Sequence, residues 1–269
     1  MDNSREIVKN FYNQNPQLEW ERLERHPYEF AITTRMMDRC IQPTDSILDI
    51  GGGPGRYALY YLAKGNRVTL TDLSQGNIDL ALKQANQRGL DLKAIACDAL
   101  QINQTLSGSF DHIFLMGPLY HLMEESERVH AVRAALSLLK PGGILYASFL
   151  LMFSGVLFML REGQEIIVDP NEEVWLNAVR QQKSWGGDAF TRAFFIDQDE
   201  ILPFMHQFDL EILHFFGQEG ITASQNYTLQ NQNEEIQQAW IDLSVDLCEI
   251  PKYISHSEHA MVIARKPAQ

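Results

Sequence analysis

One segment limits the fold of this chain more than any other: a short apolar run followed at once by a glycine cluster. Residues 48–55 read LDIGGGPG, with four glycines in the last five positions. The apolar run at 46–50 predicts a buried strand, and residues 57–64 predict a helix that begins just after the cluster. Glycine lets the main chain turn sharply and lets a ligand approach it closely. Because free N–H groups at a helix start favour electronegative ligand atoms, the segment predicts a ligand-binding loop rather than a plain tight turn.

Strands and helices alternate beyond this loop. Helices are predicted at 74–88, where Ser74 supplies the N-cap, and at 126–139, which is stopped by a Pro-Gly-Gly turn at 141–143. Further strands are predicted at 67–70, 92–97, 110–116, 144–149, 210–215 and 260–264. Alternation of this kind implies parallel strands joined by right-handed crossovers. The sequence therefore predicts an α/β fold with a doubly wound, seven-stranded sheet.

The remaining segments are predicted to cover one edge of that sheet. Residues 5–41 predict short helices separated at Pro16 and Pro27. Ligands bind at the carboxyl ends of the strands in such folds, and this is the edge that a cover would enclose. The predicted organisation is an N-terminal helical cap at 1–43, a ligand-binding core at 44–149, a cap insertion at 150–196 and a C-terminal part at 197–269 that completes the sheet.

The charge of the chain argues against a nucleic-acid partner. The formal net charge is −13, and such a chain repels phosphate backbones unless it carries a local basic patch. The densest cationic stretch, residues 22–25, is interleaved with Glu21 and Glu24. A small-molecule substrate is therefore favoured over RNA, DNA or an acidic protein.

The cysteine and hydrophobic patterns predict a cytoplasmic protein without a membrane partner. The three cysteines are far apart and form no CxxC pair, which fits neither a disulfide framework nor a zinc site. The histidines also lack a metal-ligand spacing, so no metal site is predicted. The first residues are polar and lack the apolar core of a signal peptide. The one prominent apolar run, residues 149–160, is too short to span a bilayer.

The motif spacing narrows the class of ligand. A dinucleotide fingerprint would place a third glycine at position 56, which is Arg56, and the chain has no phosphate-binding GxxxxGK[ST] loop. Asp72 ends the second strand, where a carboxylate can accept hydrogen bonds from both hydroxyls of a ribose. Asp98 ends the third strand and can accept from the amine of an adenine. The alternatives are that Asp72 caps a helix and that Asp98 is one of the acids common at strand ends.

These residues lie in motifs that resemble those of a known family. Residues 49–55, Asp72, Asp98, the segment GPLYHL at 117–122 and the segment LKPGG at 139–143 resemble the successive motifs of class I S-adenosylmethionine-dependent methyltransferases. The resemblance covers residues 43–150. The segments 216–220 and 264–267 resemble more loosely a bacterial subgroup of these proteins. The resemblance to class I methyltransferases implies a Rossmann-like methyltransferase sheet and S-adenosylmethionine as the cofactor.

The resemblance also implies which residues contact the cofactor. They are Asp49, Gly51, Gly52, Gly53 and Gly55 around the methionine moiety, Asp72 with the adjoining Leu73 at the ribose, Asp98 and Ala99 at the adenine, and Met116 and Gly117 beside the sulfonium. The N-terminal cap adds two candidates of its own. Tyr12 is expected to face the site, and Arg35 either pairs with the cofactor carboxylate or forms a surface salt bridge.

Two residues after the fourth strand are candidates for catalysis. Tyr120 and His121 emerge at the carboxyl edge, where the cofactor sulfur is expected. Histidine can accept a proton near neutral pH, and tyrosine can position an acceptor, so one of the two is expected to orient or deprotonate the acceptor. The alternative is that His121 caps the next helix and Tyr120 packs beneath the cap.

The resemblance leaves the methyl acceptor open. Methyltransferases that modify base amines carry an Asn/Asp-Pro-Pro-Phe/Tyr motif after the fourth strand, and residues 117–120 read GPLY instead, which disfavours DNA base methylation. The leading hypothesis is in-line methyl transfer to a small molecule. The alternatives are a methyltransferase of RNA or protein and a non-catalytic protein that binds the cofactor. A homodimer is compatible with the sequence.

Overall fold

The computed structural model describes residues 3–268. Its α-helices are α1 Ser4–Gln14, α2 Pro16–Arg25, α3 Pro27–Met37, α4 Arg56–Ala63, α5 Gln75–Gln87, α6 Ile102–Thr105, α7 Glu125–Leu138, α8 Met152–Glu162, α9 Glu173–Arg180, α10 Gln198–Met205, α11 Asn226–Leu229, α12 Glu234–Leu247 and α13 Pro251–Ile254. Its strands are β1 Ser46–Ile50, β2 Arg67–Asp72, β3 Lys93–Ala96, β4 Phe110–Leu115, β5 Leu139–Leu151, β6 Trp185–Asp188, β7 Arg192–Ile196, β8 Glu211–Gly217 and β9 His259–Arg265. Short 3₁₀ helices include Ala99–Gln101, Pro118–Tyr120 and Gly220–Gln225.

The central sheet has the predicted α/β organisation. Strands β3, β2, β1, β4 and β5 lie side by side in that order and are parallel. β9 pairs with β5 in the antiparallel sense, and β8 pairs with β9. The seven predicted strands are all present at these positions, which confirms the predicted fold class.

Two further strands extend the sheet beyond the prediction. β6 and β7 form an antiparallel hairpin inside the segment that was predicted to be a cap insertion. Leu150 pairs with both Phe195 of β7 and His259 of β9, so the hairpin lies on the β4 side of β5, past the end of β4. The local sequence gave little indication of these strands, because Gly186 and Gly187 weaken the strand pattern.

The sheet separates two apolar layers. Alternate side chains of a strand point to opposite faces, so Leu48 and Ile50 enter one cluster with α7 and α10, and Ile47 enters the other with α3, α4 and α5. β1 is buried along its whole length. Helix α3 contributes Met36 and Met37 to the second cluster, which fixes this part of the N-terminal cap against the core.

The apolar run at 149–160 is divided between the end of β5 and α8. Met152 and Met159 of α8 pack with Trp175 of α9 in a separate apolar cluster. Within residues 3–268, no helix combines the length and hydrophobicity needed to cross a membrane.

Candidate active site

A cavity opens at the carboxyl edge of the sheet, where β1 to β4 end. It brings together most of the residues that the sequence singled out. The predicted residues that line it are Tyr12, Asp49, Gly51, Gly52, Gly53, Asp72, Leu73, Asp98, Ala99, Met116, Gly117, Tyr120 and His121. Strand pairing places these residues together, because parallel strands present their carboxyl ends at one edge of the sheet.

Two predicted residues do not line the cavity. Gly55 lies behind the loop and has φ +85°. A Cβ at this position would come within 3.2 Å of Leu70, so Gly55 allows α4 to pack against β2. Arg35 forms an ion pair with Asp242 on α12. The expectation that Arg35 contacts a ligand is corrected: α3 turns Ile32 and Met36 towards the core, which leaves Arg35 on the solvent side.

The glycine loop folds tightly over Asp49. A Cβ on Gly52 would lie 2.3 Å from a carboxylate oxygen of Asp49, so only glycine fits beside that side chain. Gly53 has φ +58°, and the nearest atom to a Cβ there would be Glu19 Cγ at 3.5 Å. The space next to Gly53 therefore belongs to the cavity rather than to packed protein.

Asp49 is a buried carboxyl group with unused acceptor capacity. It is 2% exposed, and its Oδ2 atom has no hydrogen-bond partner among the described residues. Burial, with a smaller contribution from Asp72, raises the pKa of Asp49 to about 7. A buried carboxylate is stabilised by a cation, so this position suits a positively charged ligand group.

Asp72 organises the turn after β2 and also faces the cavity. It accepts hydrogen bonds from the backbone N–H groups of Gly53 and Ser74, both at 2.8 Å, and from the side-chain amide of Asn77 at 3.1 Å. The cap of α5 is Ser74, whose side chain accepts from the Asn77 N–H, so Asp72 is not the helix cap itself. Burial raises the pKa of Asp72 to about 6 despite these bonds. Asn77 also lines the cavity and was not predicted.

Asp98 has partners that compete with a ligand. One oxygen accepts the N–H of Leu100 at 2.9 Å and caps the short 3₁₀ helix that begins at Ala99. The other forms an ion pair with Arg5 at 3.1 Å, across the mouth of the cavity. Contact between Asp98 and an adenine amine stays a prediction, and Arg5 is a lining residue that the sequence analysis did not single out.

His121 is held by two hydrogen bonds that fix its tautomer. Its Nδ1 atom lies 2.9 Å from the Arg192 carbonyl oxygen, which can only accept, so Nδ1 carries the hydrogen. Its Nε2 atom then accepts from the Tyr12 hydroxyl at 2.9 Å. Burial lowers the pKa of His121 to about 4. The ring is therefore neutral near pH 7 and is a weak base there.

A cluster of buried charged residues forms the wall beyond Tyr120. Arg22 bonds Glu29 at 2.6 Å, and His259 bonds Glu219 at 2.7 Å. Both carboxylates are almost fully buried, and Glu29 and His259 line the cavity. This cluster was not predicted from the sequence, although Glu219 lies in the 216–220 segment and His259 directly precedes the predicted last strand.

Three side chains of this cluster lie close enough together to bind a metal ion. Ligand atoms of Glu29, Glu219 and His259 lie within 4.8 Å of one another. Each carboxylate already has a partner, because Arg22 holds Glu29 and the His259 ring holds Glu219. The cluster is thus complete as a set of hydrogen-bonded charges without an ion.

Elements of the predicted cap cover the cavity. Tyr12 of α1 and Glu19 of α2 line it, and Phe190, in the turn between β6 and β7, lies 6.0 Å from the His121 ring.

Residues 47–143 match a protein-family model described as a methyltransferase domain. The chain is 29% identical over 141 residues to a ubiquinone biosynthesis O-methyltransferase from Caulobacter vibrioides, which covers 51% of this chain and 55% of that protein. It therefore spans about half the length of this relative. It is 25% identical over 226 residues to a tRNA 5-carboxymethoxyuridine methyltransferase from Escherichia coli O157:H7, covering 82% of this chain and 80% of that protein.

A similar fold occurs in a solved structure. The magnesium protoporphyrin IX methyltransferase from Synechocystis PCC 6803, crystallised with bound S-adenosylhomocysteine, superposes with a TM-score of 0.59 and is 13% identical. The superposition covers 98% of this chain and 99% of that one. At this identity the likeness concerns the fold.

Proposed function

We propose that this chain, which carries a class I S-adenosylmethionine-dependent methyltransferase domain, methylates a small molecule. The family match confirms the domain, and S-adenosylmethionine is its cofactor, as the sequence predicted. The relatives do not decide the acceptor, because one is named for ubiquinone biosynthesis and another for tRNA. The choice of acceptor class rests on the charges around the cavity.

The arginines of the cavity have no free charge to offer a phosphate. Among the described residues that line the cavity, each arginine forms an ion pair with a carboxylate: Arg5 with Asp98 at 3.1 Å, Arg22 with Glu29 at 2.6 Å and Arg56 with Glu24 at 2.5 Å. A nucleic-acid substrate would need unpaired cations along the path of its backbone. This pairing, in a chain of net charge −13, is the observation that supports a small acceptor.

The residues at the strand ends fit the cofactor. The unpartnered oxygen of Asp49 suits its cationic part, and the close main chain at Gly52 and Gly53 leaves room for its methionine moiety. Asp72 and Ala99 line the same cavity, and we assign Asp72 to the ribose and Ala99 to the adenine. When bound, the cofactor supplies an electrophilic methyl group on a positively charged sulfur.

The protein's own contribution is mainly alignment and exclusion of water. Tyr120 and His121 stand after β4, beside Met116 and Gly117, and we assign to them the orientation of the acceptor. The hydrogen bond from Tyr12 to His121 fixes that ring and joins the cover to the core. Because an activated methyl donor needs little further activation, correct placement of the two reactants provides much of the rate.

Cofactor affinity is expected to rise with pH through neutrality. Asp49 has a pKa of about 7 and must ionise to pair with a cation, so binding releases a proton. Below this pKa the affinity should fall by up to about tenfold per pH unit. Calorimetry between pH 6 and 8, in buffers of different ionisation enthalpy, measures both the affinity and the released proton.

Asp49→Asn is the matched control for this effect. The variant should bind the cofactor more weakly than the unaltered protein at pH 8. Its affinity should not depend on pH above pH 6, because Asp72, with its pKa of about 6, has little remaining influence there. An affinity of the unaltered protein that stays constant from pH 6 to 8 would contradict the assignment of Asp49.

Transfer of a labelled methyl group identifies the acceptor class. The protein is incubated with S-adenosylmethionine labelled in the methyl group and, separately, with a small-metabolite extract, total tRNA or a protein extract. We expect label in the small-metabolite fraction. Label in tRNA would overturn the proposal in favour of the second candidate, a tRNA methyltransferase, which the long alignment supports. Tight cofactor binding without transfer to any fraction would indicate a non-catalytic binding protein.

A further inference from the structure

We propose that His259, oriented by Glu219, is the general base that removes the proton from the methyl acceptor. This assignment rests on the proposed function, methyl transfer within the same cavity. His259 is a residue of the last strand, distant in sequence from the cofactor motifs. The case for it combines the geometry of the histidine and glutamate pair, its place in the cavity and its electrostatic surroundings.

The Glu219 carboxylate is fixed in position by three hydrogen bonds. Its Oε2 atom accepts the backbone N–H groups of Glu258 at 3.0 Å and His259 at 2.9 Å. Its Oε1 atom lies 2.7 Å from Nδ1 of His259. A carboxylate held in this way can only accept, so Nδ1 of His259 carries the hydrogen and its orientation is set.

The remaining ring nitrogen of His259 is available to a substrate. Its Nε2 atom has no hydrogen-bond partner in the described part of the chain, and the residue lines the cavity. In the neutral ring, a hydrogen on Nδ1 leaves a lone pair on Nε2. This is the arrangement in which a carboxylate orients an imidazole as a proton acceptor.

The position of His259 in the sheet leaves room for an acceptor. It begins β9 and pairs with Leu150 near the carboxyl end of β5. β9 is two strands away from β4, which corresponds to about 10 Å at the usual strand spacing. The centroids of the Tyr120 and His259 rings are 5.8 Å apart, and both residues line the cavity. An acceptor that Tyr120 orients therefore lies within reach of His259.

The surroundings of His259 make it a better base than its neighbours. Burial lowers the pKa of His259, but the charge and hydrogen bond of Glu219, with a contribution from Glu29, outweigh burial and the opposing charge of Arg22, so the pKa is raised overall. Burial holds the pKa of His121 at about 4. A general base works best when its pKa lies near the working pH, which favours His259 over His121.

The proposed step balances as follows. A lone pair of the acceptor atom forms the bond to the methyl carbon, and the electrons of the broken carbon–sulfur bond stay on sulfur, which becomes a neutral thioether. The acceptor hydrogen passes to Nε2 of His259, which becomes an imidazolium ion beside the Glu219 carboxylate. The proton then leaves to solvent when the product departs.

Turnover by His259→Gln tests this role. We expect kcat to fall by about 10²–10⁴-fold, the usual contribution of a general base, while the affinity for S-adenosylmethionine changes little. His256→Gln is the matched control, because His256 is exposed and lies only three positions earlier. Full turnover by His259→Gln on the identified acceptor would overturn the assignment.

Glu219→Gln separates orientation from structure. The wild-type kcat should rise with pH as His259 loses its proton, with Glu219, Glu29, Arg22 and Tyr120 as the ionisable groups that face it. Removing the charge of Glu219 lowers the pKa of His259, so the rising limb of the profile should move to lower pH while kcat decreases. A lower kcat with an unchanged profile would indicate a purely structural pair.

A measurement without turnover tests the same residue. Nuclear magnetic resonance of ¹⁵N-labelled histidine should show His259 with the hydrogen on Nδ1 and a pKa above the usual histidine value, and the pKa should fall in Glu219→Gln. A neutral ring with the hydrogen on Nε2 would overturn the proposal. So would loss of activity on treatment with a chelator and its return with Mg²⁺, because His259 would then be a metal ligand.

Failure of this inference differs from failure of the proposed function. If tRNA proves to be the acceptor, the proposed function fails, and the His259 variants are assayed on tRNA with the same expected loss. If a small molecule is methylated at full rate by His259→Gln, the proposed function stands and this inference fails. If no fraction is labelled, the proposed function and the general base fail together, whatever tautomer the resonance spectrum shows.

Discussion

Gly53→Val is expected to abolish detectable binding of S-adenosylmethionine. Gly53 has φ +58°, a conformation that costs a β-branched residue about 1–3 kcal/mol. The space that a side chain would occupy is the cavity itself, since the nearest protein atom to a Cβ would be Glu19 Cγ at 3.5 Å. The valine methyl groups would therefore fill space that the ligand needs. We expect calorimetry to show a loss of affinity of more than about 100-fold.

Gly89→Val is the matched control for the strain at Gly53. Gly89 has φ +65°, and a Cβ there would meet no atom within 4 Å. The two variants should lose similar thermal stability, but Gly89→Val should bind the cofactor as the unaltered protein does. Normal binding by Gly53→Val, or equal loss of binding by both variants, would contradict the placement of the cofactor at this loop.

Asp72→Ala is expected to weaken cofactor binding by about 10²–10⁴-fold. Hydrogen bonds to a charged group contribute about 1.5–3 kcal/mol each, and two ribose hydroxyls would lose their acceptor. Three protein donors already bond Asp72, and the bond from Asn77 is the longest at 3.1 Å. We expect the Asn77 side chain to rotate away from Asp72 when the ribose binds. Calorimetry with the product S-adenosylhomocysteine measures the loss without turnover.

Asp72→Asn separates ligand contact from the order of the turn. The amide keeps the size of the side chain and one acceptor oxygen, so binding should weaken by less than in Asp72→Ala. Because burial raises the pKa of Asp72 to about 6, its ionised form lowers the stability of the folded protein, and this cost grows from about pH 4 to pH 6 and then stays constant. Asp72→Asn removes this cost but leaves either the Gly53 or the Ser74 N–H without its acceptor. The Tm of the variant relative to that of the unaltered protein should therefore rise between about pH 4 and pH 6 and stay constant above pH 6.

Asp91→Ala controls for the removal of a carboxylate. Asp91 is exposed and precedes β3, outside the cavity. The Asp91→Ala variant should have the same affinity for S-adenosylhomocysteine and the same Tm as the unaltered protein. An unaltered dissociation constant in Asp72→Ala would show that the ribose is held elsewhere in the cavity.

The sequence by itself determined the fold class and the part of the cavity that lies at the ends of β1, β2 and β4. The glycine loop follows the buried strand β1, Asp72 ends the mostly buried strand β2, and Asp98 comes two residues after the end of β3. Short strands of this kind, with a glycine cluster or an acid at the carboxyl end, can be recognised locally. Parallel pairing then places the carboxyl ends of those strands at one edge. The residues near Asp49, Asp72 and Met116 were therefore predictable without coordinates.

Some sequence features allowed two structural interpretations, and only the packing of the folded chain decides between them. Arg35 follows Thr34 and precedes Met36 on a helix whose apolar residues are spread around much of its circumference, so the sequence allowed either a ligand contact or a surface ion pair. The structure places it beside Asp242, 207 positions away. The strands β6 and β7 likewise exist because they pair with each other and with the end of β5.

The part of the cavity around His259 was decided only by the tertiary structure. Glu29 comes from α3, Glu219 from the turn after β8, and His259 from the start of β9. Glu29 has a partner nearby in sequence, Arg22, but Glu219 and His259 are 40 positions apart. The antiparallel pairing of β9 with both β5 and β8 brings His259 to the edge where β1 to β4 end. Sequence patterns report the spacing of residues along one strand or helix, whereas a charge cluster buried between three elements exists only after their apolar faces have packed.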